Sequence, residues 1–341
     1  MITFISAAIS TFVLCIAWRL IAKPLGIMDI PNIRSSHSRP IPRGGGVAIL
    51  IAFSLFFFVT HGFGSHLGLY LVLPALGVGF VGLVDDFRDL SPLTKLAFEF
   101  LCAYVVFMGF GFGHLPLGPY KLEAGKLAAA FFAMIWISGF TNFFNFMDGI
   151  DGIAAGQALI ASAFLAIHFS RAGDQSLTFV ATLVAGCSLG FLAINAPPAK
   201  LFMGDAGSLF LGFLLSALIL VGAVRLGIPF WLLALPLYNF LFDTVYTLIR
   251  RVVIGEKWYV AHRSHLFQRL TSTGRSHLSV TLLEMTMASL LGVLSLLPAA
   301  NFPVLQVSMV IALGLTSQFI FLIYVIKCER AFKGHSVSQA C

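Results

Sequence analysis

Five polar clusters interrupt an otherwise apolar chain of 341 residues, and their residue types suit a phosphate ligand and a hard cation. The first, RSSHSRPIPRGGG, joins His37, Arg39 and Arg43 to Gly44, Gly45 and Gly46. Guanidiniums bind phosphate bidentately, and glycines let a backbone approach closely. A basic loop that only marks the inner side of a membrane would read the same way. The second, DDFRDLSPLTK, sets Asp85 beside Asp86 at the end of an apolar run and ends on Lys95. Adjacent carboxylates repel, so a divalent cation or an acid–base role explains them, against the plainer reading of a helix end facing water. Lys95 is placed to meet a phosphate.

The third cluster, NFFNFMDGIDG, carries Asn142, Asn145 and Asp148 at three-residue spacing. Such residues drift only about 60° per step and so share one helix face. Asp148–Gly149 and Asp151–Gly152 then break the helix, with Asp151 expected to cap the next one. In the fourth, FMGDAGS, Gly204 and Gly207 leave room beside Asp205 for a metal-bound pyrophosphate, and Phe202 is available to stack on a base. Taken alone, an Asp that starts a helix is the simpler account of Asp205. The fifth, KWYVAHRSHLFQR, offers His262, Arg263, His265 and Arg269, with the two histidines on one helical face for phosphate or a proton.

Oxygen donors without thiolates point to Mg²⁺, with Mn²⁺ as a substitute. The five cysteines are scattered without a CxxC pair, and no third histidine stands near His262 and His265 to complete a zinc site. Asp243 is a weaker candidate that could pair with Arg250 or Arg251. His61, His66, His114, His168, His277 and Glu284 are read as structural.

The elements that must position these clusters are membrane helices. Hydrophobic residues make up 59% of the chain and charged ones 10%, which excludes an ordinary soluble domain. Apolar runs of about 20 residues, enough to cross a ~30 Å core, fall near 2–22, 45–62, 67–84, 93–112, 127–144, 154–170, 177–195, 207–225, 229–249, 279–299 and 303–326. The fold class is therefore all-α: one polytopic integral membrane bundle of about 11 transmembrane helices over residues 1–341. The first run, with no positive charge before it, reads as an anchor and not a cleaved leader.

Loops that follow odd-numbered spans hold 17 of the 21 Lys and Arg residues, leaving Lys121, Lys126, Arg171 and Arg225 on the other side. The positive-inside rule makes the first set cytosolic, the N-terminus periplasmic and the C-terminus cytosolic. All five clusters fall in that set, in loops near 23–44, 85–95, 142–153, 196–208 and 250–278. Shared placement on one face turns five separate features into one expected site, and the net charge of +7 becomes a property of that face.

The segments DDFRDL, NFFNFMDGIDGIAAG, LFMGDAGS and HRSHLFQRL, in this order and at these intervals, resemble the polyprenyl-phosphate N-acetylhexosamine-1-phosphate transferases of glycosyltransferase family 4, over about residues 29–270. The resemblance implies a bacterial inner-membrane enzyme with a cytosolic active site. It would transfer a sugar 1-phosphate from a UDP-N-acetylhexosamine to undecaprenyl phosphate and release UMP. By motif position, Asp205 and Asn145 correspond to the metal site. Asp85 and Asp86 correspond to the pair that orients or deprotonates the lipid phosphate, and Asp148 and His262 complete the catalytic set. Substrate contacts fall to Arg39, Arg43, Lys95, Asp151, Phe202, Gly204, Arg263 and His265, with Asp151 and Phe202 near the uracil.

In this family three histidines often stand close together, whereas Arg263 and Ser264 separate His262 from His265 here. That departure favours an initiator of O-antigen and lipopolysaccharide synthesis over the phospho-MurNAc-pentapeptide translocase of peptidoglycan synthesis. GlcNAc is the default donor sugar, with FucNAc and QuiNAc as alternatives. Membrane lipids are partners, nucleic acid is not, and a homodimer is allowed. Two other classes compete: a secondary transporter, which would need polar residues near the midplane, and a UbiA-type prenyltransferase, whose aspartate motifs differ.

Overall fold

Inside a bilayer no water satisfies backbone N–H and C=O groups, so long apolar runs have to become helices. In the computed structural model, which describes residues 1–31, 39–117, 120–123, 125–257, 262–297 and 304–338, they form α1 (Ile2–Ala22), α2 (Gly46–His61), α3 (Leu73–Arg88), α4 (Pro92–Phe110), α5 (Lys126–Met147), α6 (Ile153–Arg171), α7 (Gln175–Asn195), α8 (Asp205–Leu226), α9 (Phe230–Ala234), α10 (Tyr238–Val253), α11 (Leu266–Ser272), α12 (His277–Ser295) and α13 (Val304–Ser338). A π-helical turn at Gly68–Val72 leads into α3. Two short antiparallel ribbons, β1 (Met28–Asp29) with β2 (Ile41–Pro42) and β3 (His114–Leu117) with β4 (Tyr120–Glu123), were not legible as strands in the sequence.

Ten helices among the described residues are long and apolar enough to span a membrane, and α2 is a shorter apolar helix of 16 residues. Together they account for the eleven expected spans. The protein is a polytopic helical membrane bundle. Two spans differ from expectation. The ninth is broken: α9 passes through a 3₁₀ turn at Leu235–Leu237, containing Pro236, before α10 begins. The last runs on to Ser338 because nothing in its sequence stops a helix at 326.

The expected loop at 85–95 is also shorter, since α3 continues to Arg88 and α4 starts at Pro92. Asp89 turns the chain with a φ of 45°, and the Asp85 carboxylate accepts from the Leu90 amide at 2.6 Å. Ser91 then caps α4 by accepting from the Thr94 amide at 3.1 Å, with Pro92 suited to the first turn. Asp85 and Asp86 therefore ride on the last turn of a helix.

At the centre stands α8, in which every residue from Ala206 to Ala223 is buried. Helices α2, α3, α4, α5, α6 and α7 pack around it. Its N-terminal end is approached so closely that a Cβ on Gly46 would lie 2.2 Å from the Gly207 nitrogen. The glycine run of the first cluster thus serves contact between helices. Gly45 and Gly46 donate backbone hydrogen bonds to Phe202 and Met203, both at 2.8 Å, and Phe202 donates to Pro42 at 2.9 Å. These bonds lash the basic segment to the turn that precedes α8.

Candidate active site

One cavity of about 340 Å³ opens where helices end: after α3, α5 and α7, and before α6, α8 and α12. Its walls include Arg43, Asp86, Asn145, Asp148, Asp151, Phe202, Gly204 and Asp205, eight of the residues singled out in the sequence. Asp29, Asn195, Ser208, Gln268 and His277 also line it. Lys95 and Asp85 stand behind Asp205. The Lys95 ammonium lies 3.2 Å from an Asp205 oxygen and 2.5 Å from an Asp85 oxygen. Arg39 is exposed and lies outside the cavity wall; half-buried His262 and Arg263 and buried His265 also lie outside it. His37 lies outside the described residues.

The two adjacent aspartates do different jobs. Asp86 is buried, and its carboxylate oxygens accept from the Asp205 amide at 3.0 Å and the Ala206 amide at 3.2 Å. It caps α8 from another helix, a place where a negative charge meets the positive end of the helix dipole. Arg43 donates to the Asp86 carbonyl. Gly204 makes this fit possible: its φ is +74°, and a Cβ there would lie 2.6 Å from an Asp86 oxygen. Asp205 opens α8 but does not cap it.

On α5 the shared face splits by depth. Asn142 donates to buried Glu99 of α4 at 2.5 Å, while Asn145 donates to the Ser208 hydroxyl at 3.0 Å beside the cavity. Asp148 ends the helix at the cavity wall. Burial pushes its carboxyl up to about 7, and the neighbouring Asp205, Asp86 and Asp151 charges add to the effect. Such crowding of carboxylates is relieved by a bound cation. Asp151 does not cap α6. It accepts from the Ala199 amide at 3.0 Å and pairs with His277 at 3.3 Å, and the amide of Gly152 is satisfied by Asn195 at 2.9 Å.

The histidine loop is tied to α10. Asp243 is buried and accepts from the Leu266 amide at 2.9 Å and the Phe267 amide at 3.3 Å, with His265 at 3.1 Å. Asp243 therefore caps α11, where the sequence suggested Arg250 or Arg251 as its partner. Helix α11 delivers Gln268 to the cavity. Arg269, the last residue of the fifth cluster, makes a two-point contact with Glu329 of α13 at 2.7 and 2.8 Å. Burial pushes His262 down to about 4, with His265 and Arg251 adding to it, so its ring is neutral at pH 7.

The donors suit a divalent cation of the Mg²⁺ type. They are carboxylate and amide oxygens, and an ammonium already lies against Asp205. Among the described residues no three His, Cys, Asp or Glu side chains converge into a cage. Mg²⁺ is commonly held that way, by one or two carboxylates with substrate phosphates and water supplying the rest.

The model of the family described as glycosyl transferase family 4 matches residues 68–223. A Thermotoga maritima protein named undecaprenyl-phosphate alpha-N-acetylglucosaminyl 1-phosphate transferase is 30% identical over 77% of this chain and 80% of its own length. This chain belongs to glycosyl transferase family 4. A second member, the decaprenyl-phosphate N-acetylglucosaminephosphotransferase of Mycobacterium tuberculosis, is 30% identical over 82% of this chain and 77% of its own. A phospho-N-acetylmuramoyl-pentapeptide-transferase of Heliobacterium modesticaldum reaches 35%, over 55% of this chain and 63% of its own. The glycosyl transferase family 4 match contains the clusters around Asp86, Asp148 and Asp205, which form most of the cavity. The basic segment before α2 and the histidine loop lie beyond it.

Sequence reasoning missed Asp29, Glu99, Asn195, Gln268 and His277 as neighbours of the site. Asp29, Glu99 and Asn195 are lone polar residues among apolar ones, and only Asn195, which ends an apolar run just before a proline pair, carried a local sign of a helix end facing the clusters; Gln268 stands inside the fifth cluster without being singled out, and His277 reads as structural.

Proposed function

We propose that this protein transfers an N-acetylhexosamine 1-phosphate from a UDP-sugar to undecaprenyl phosphate, giving undecaprenyl-pyrophosphoryl-sugar and UMP. The reading rests on one observation above all: five aspartates, Asn145 and Arg43 converge on a single cavity at one end of the bundle, in a family whose similar members are named as undecaprenyl- or decaprenyl-phosphate N-acetylglucosamine phosphotransferases. That end holds the Lys- and Arg-rich loops, which supports a cytosolic site in a bacterial inner membrane.

Phosphoryl transfer asks a protein mainly for positioning and charge neutralisation. The second ionisation of a phosphate monoester lies near ~6, so the lipid phosphate arrives as a nucleophile. Its oxygen forms a bond to the sugar-bearing β-phosphorus, the α–β bridging bond breaks, and UMP departs with that electron pair. No strong base is needed. Asp205 and Asn145 would hold Mg²⁺, which supplies charge neutralisation between phosphates. Arg43, Lys95 and His277 offer positive charge or N–H donors around the same space. Asp151 and Phe202 form the wall suited to a uracil, and Asp86 holds the start of α8 in place. The assignment of Asp85 as a proton acceptor finds less support than a role in fixing Lys95, its partner at 2.5 Å.

A second reading, transfer of phospho-N-acetylmuramoyl-pentapeptide, is favoured by the 35% identity to the Heliobacterium protein, over a shorter stretch. Both readings are tested together. Purified protein with Mg²⁺ and undecaprenyl phosphate is given UDP-GlcNAc, UDP-FucNAc, UDP-QuiNAc or the UDP-MurNAc-pentapeptide, and UMP release is measured. Release with UDP-GlcNAc or one of the deoxy sugars is expected. Release only with the pentapeptide donor selects the second reading, and release with none overturns both.

A further inference from the structure

Below the active-site end, the broken ninth span is packed with polar groups. Gln157 of α6 donates to the Pro236 carbonyl at 2.5 Å, which satisfies the backbone freed by the break. Asn239 of α10 spends its amide hydrogens on Gln157 Oε1 at 3.2 Å and on Glu284 Oε2 of α12 at 2.6 Å. All three side chains are 1 or 2% exposed. Two buried oxygens, Asn239 Oδ1 and Glu284 Oε1, then have no hydrogen-bond partner.

Both atoms are acceptors, and they belong to the two groups already joined by the 2.6 Å bond. A primary amide and a carboxylic acid form a ring with two hydrogen bonds, amide N–H to acid C=O and acid O–H to amide C=O. One proton on Glu284 Oε1 therefore supplies the missing bond to both orphaned oxygens. Turning the Asn239 amide over does not remove the need, since it would set two oxygens 2.6 Å apart. An ionised carboxylate here would be expensive in the membrane interior. Among the described residues the charged side chain that bears on Glu284 is Asp243 of α10, itself a carboxylate.

We propose that Glu284 is a membrane-buried proton-binding site: it carries a proton at neutral pH and forms a cyclic acid–amide pair with Asn239 that clamps the helix break. The pair joins α12 to the first turn of α10, one turn before Asp243, and through Gln157 to α6. It fixes the start of the helix that carries the α11 cap.

The test uses the full-length protein in detergent and does not depend on which sugar it transfers. Infrared spectra of wild type and Glu284→Gln are compared at pH 7, with thermal unfolding of wild type, Glu284→Gln and Glu284→Ala. A protonated-carboxyl C=O band present in wild type and missing in Glu284→Gln is expected. Glutamine supplies an N–H where the acid had an O–H, so its melting temperature should stay close to wild type. Alanine leaves the amide oxygen without a donor and should lower it by about 3 °C or more. Absence of the band difference overturns the proposal, as does a loss in Glu284→Gln equal to that in Glu284→Ala. A rise in wild-type melting temperature with Na⁺ or K⁺ that Glu284→Gln lacks would also overturn it, by placing a metal ion where the proton is assigned.

Discussion

Lys95 places its ammonium 3.2 Å from the carboxylate of Asp205 while holding Asp85 at 2.5 Å. The cation of the side chain thus stands against the carboxylate proposed to receive Mg²⁺. Substituting Lys95→Met removes a competitor for Asp205 and also a positive group for phosphate. Mn²⁺ binding measured by electron paramagnetic resonance without substrates should tighten, while UMP release should fall roughly 100-fold or more, as when a preorganised donor is lost. Weaker Mn²⁺ binding in the variant would argue that Lys95 organises the carboxylates and does not compete for them.

Asp86 and Asp205 should separate stability from turnover. Asp86→Ala removes the acceptor for two α8 amides and should cost about 1–2 kcal/mol, in the range of a lost helix cap, seen as a lower melting temperature. Asp205→Asn relieves carboxylate crowding without touching that cap. It should abolish UMP release with the melting temperature unchanged or raised.

Gly204→Ala is expected to be more harmful than its size suggests. The backbone at φ 74° and ψ 173° is a conformation essentially reserved for glycine and costs an L-residue about 1–3 kcal/mol, and the new methyl would meet Asp86 at 2.6 Å. Thermal unfolding should show a loss at least equal to that of Asp86→Ala, and combining the two changes should give less than the sum.

Acid should act through His262. Its folded value of about 4 lies below the ordinary 6.5, so between those values the unfolded chain binds more protons. The neutral ring's contribution is fully present above about pH 6.5 and is lost as pH falls toward 4. Over that window wild type should lose more melting temperature than His262→Gln, and the two curves should run parallel above pH 7.

The spans of the bundle were legible because the length of an apolar run is a one-dimensional property. The placement of Asn145, Asp148, Asp151 and Asp205 around one space also followed from their positions at helix ends. The roles of Asp85 and Asp86 did not. Neighbours in sequence suggested a pair acting on one ligand, yet successive residues on a helix diverge by about 100°, sending Asp85 to Lys95 and Asp86 to the start of α8. Asp243 was opaque for a related reason: its partners are backbone amides 23 and 24 residues away, and an amide leaves no signature in a residue type. The fifth cluster looked like phosphate chemistry, but Arg269 spends its guanidinium on Glu329, a residue 60 positions later.

The buried centre of the bundle has a consequence for what can pass through it. With every residue of α8 from Ala206 to Ala223 buried, the centre of the bundle is filled by packed helix, and among the described residues the acidic cavity opens at the helix ends. A ligand with a long hydrocarbon tail must arrive sideways, keeping its tail among the lipids while only its head enters. The tail then contributes mainly residence in the membrane, and turnover should be far less sensitive to the number of its isoprene units than to the charge on its phosphate.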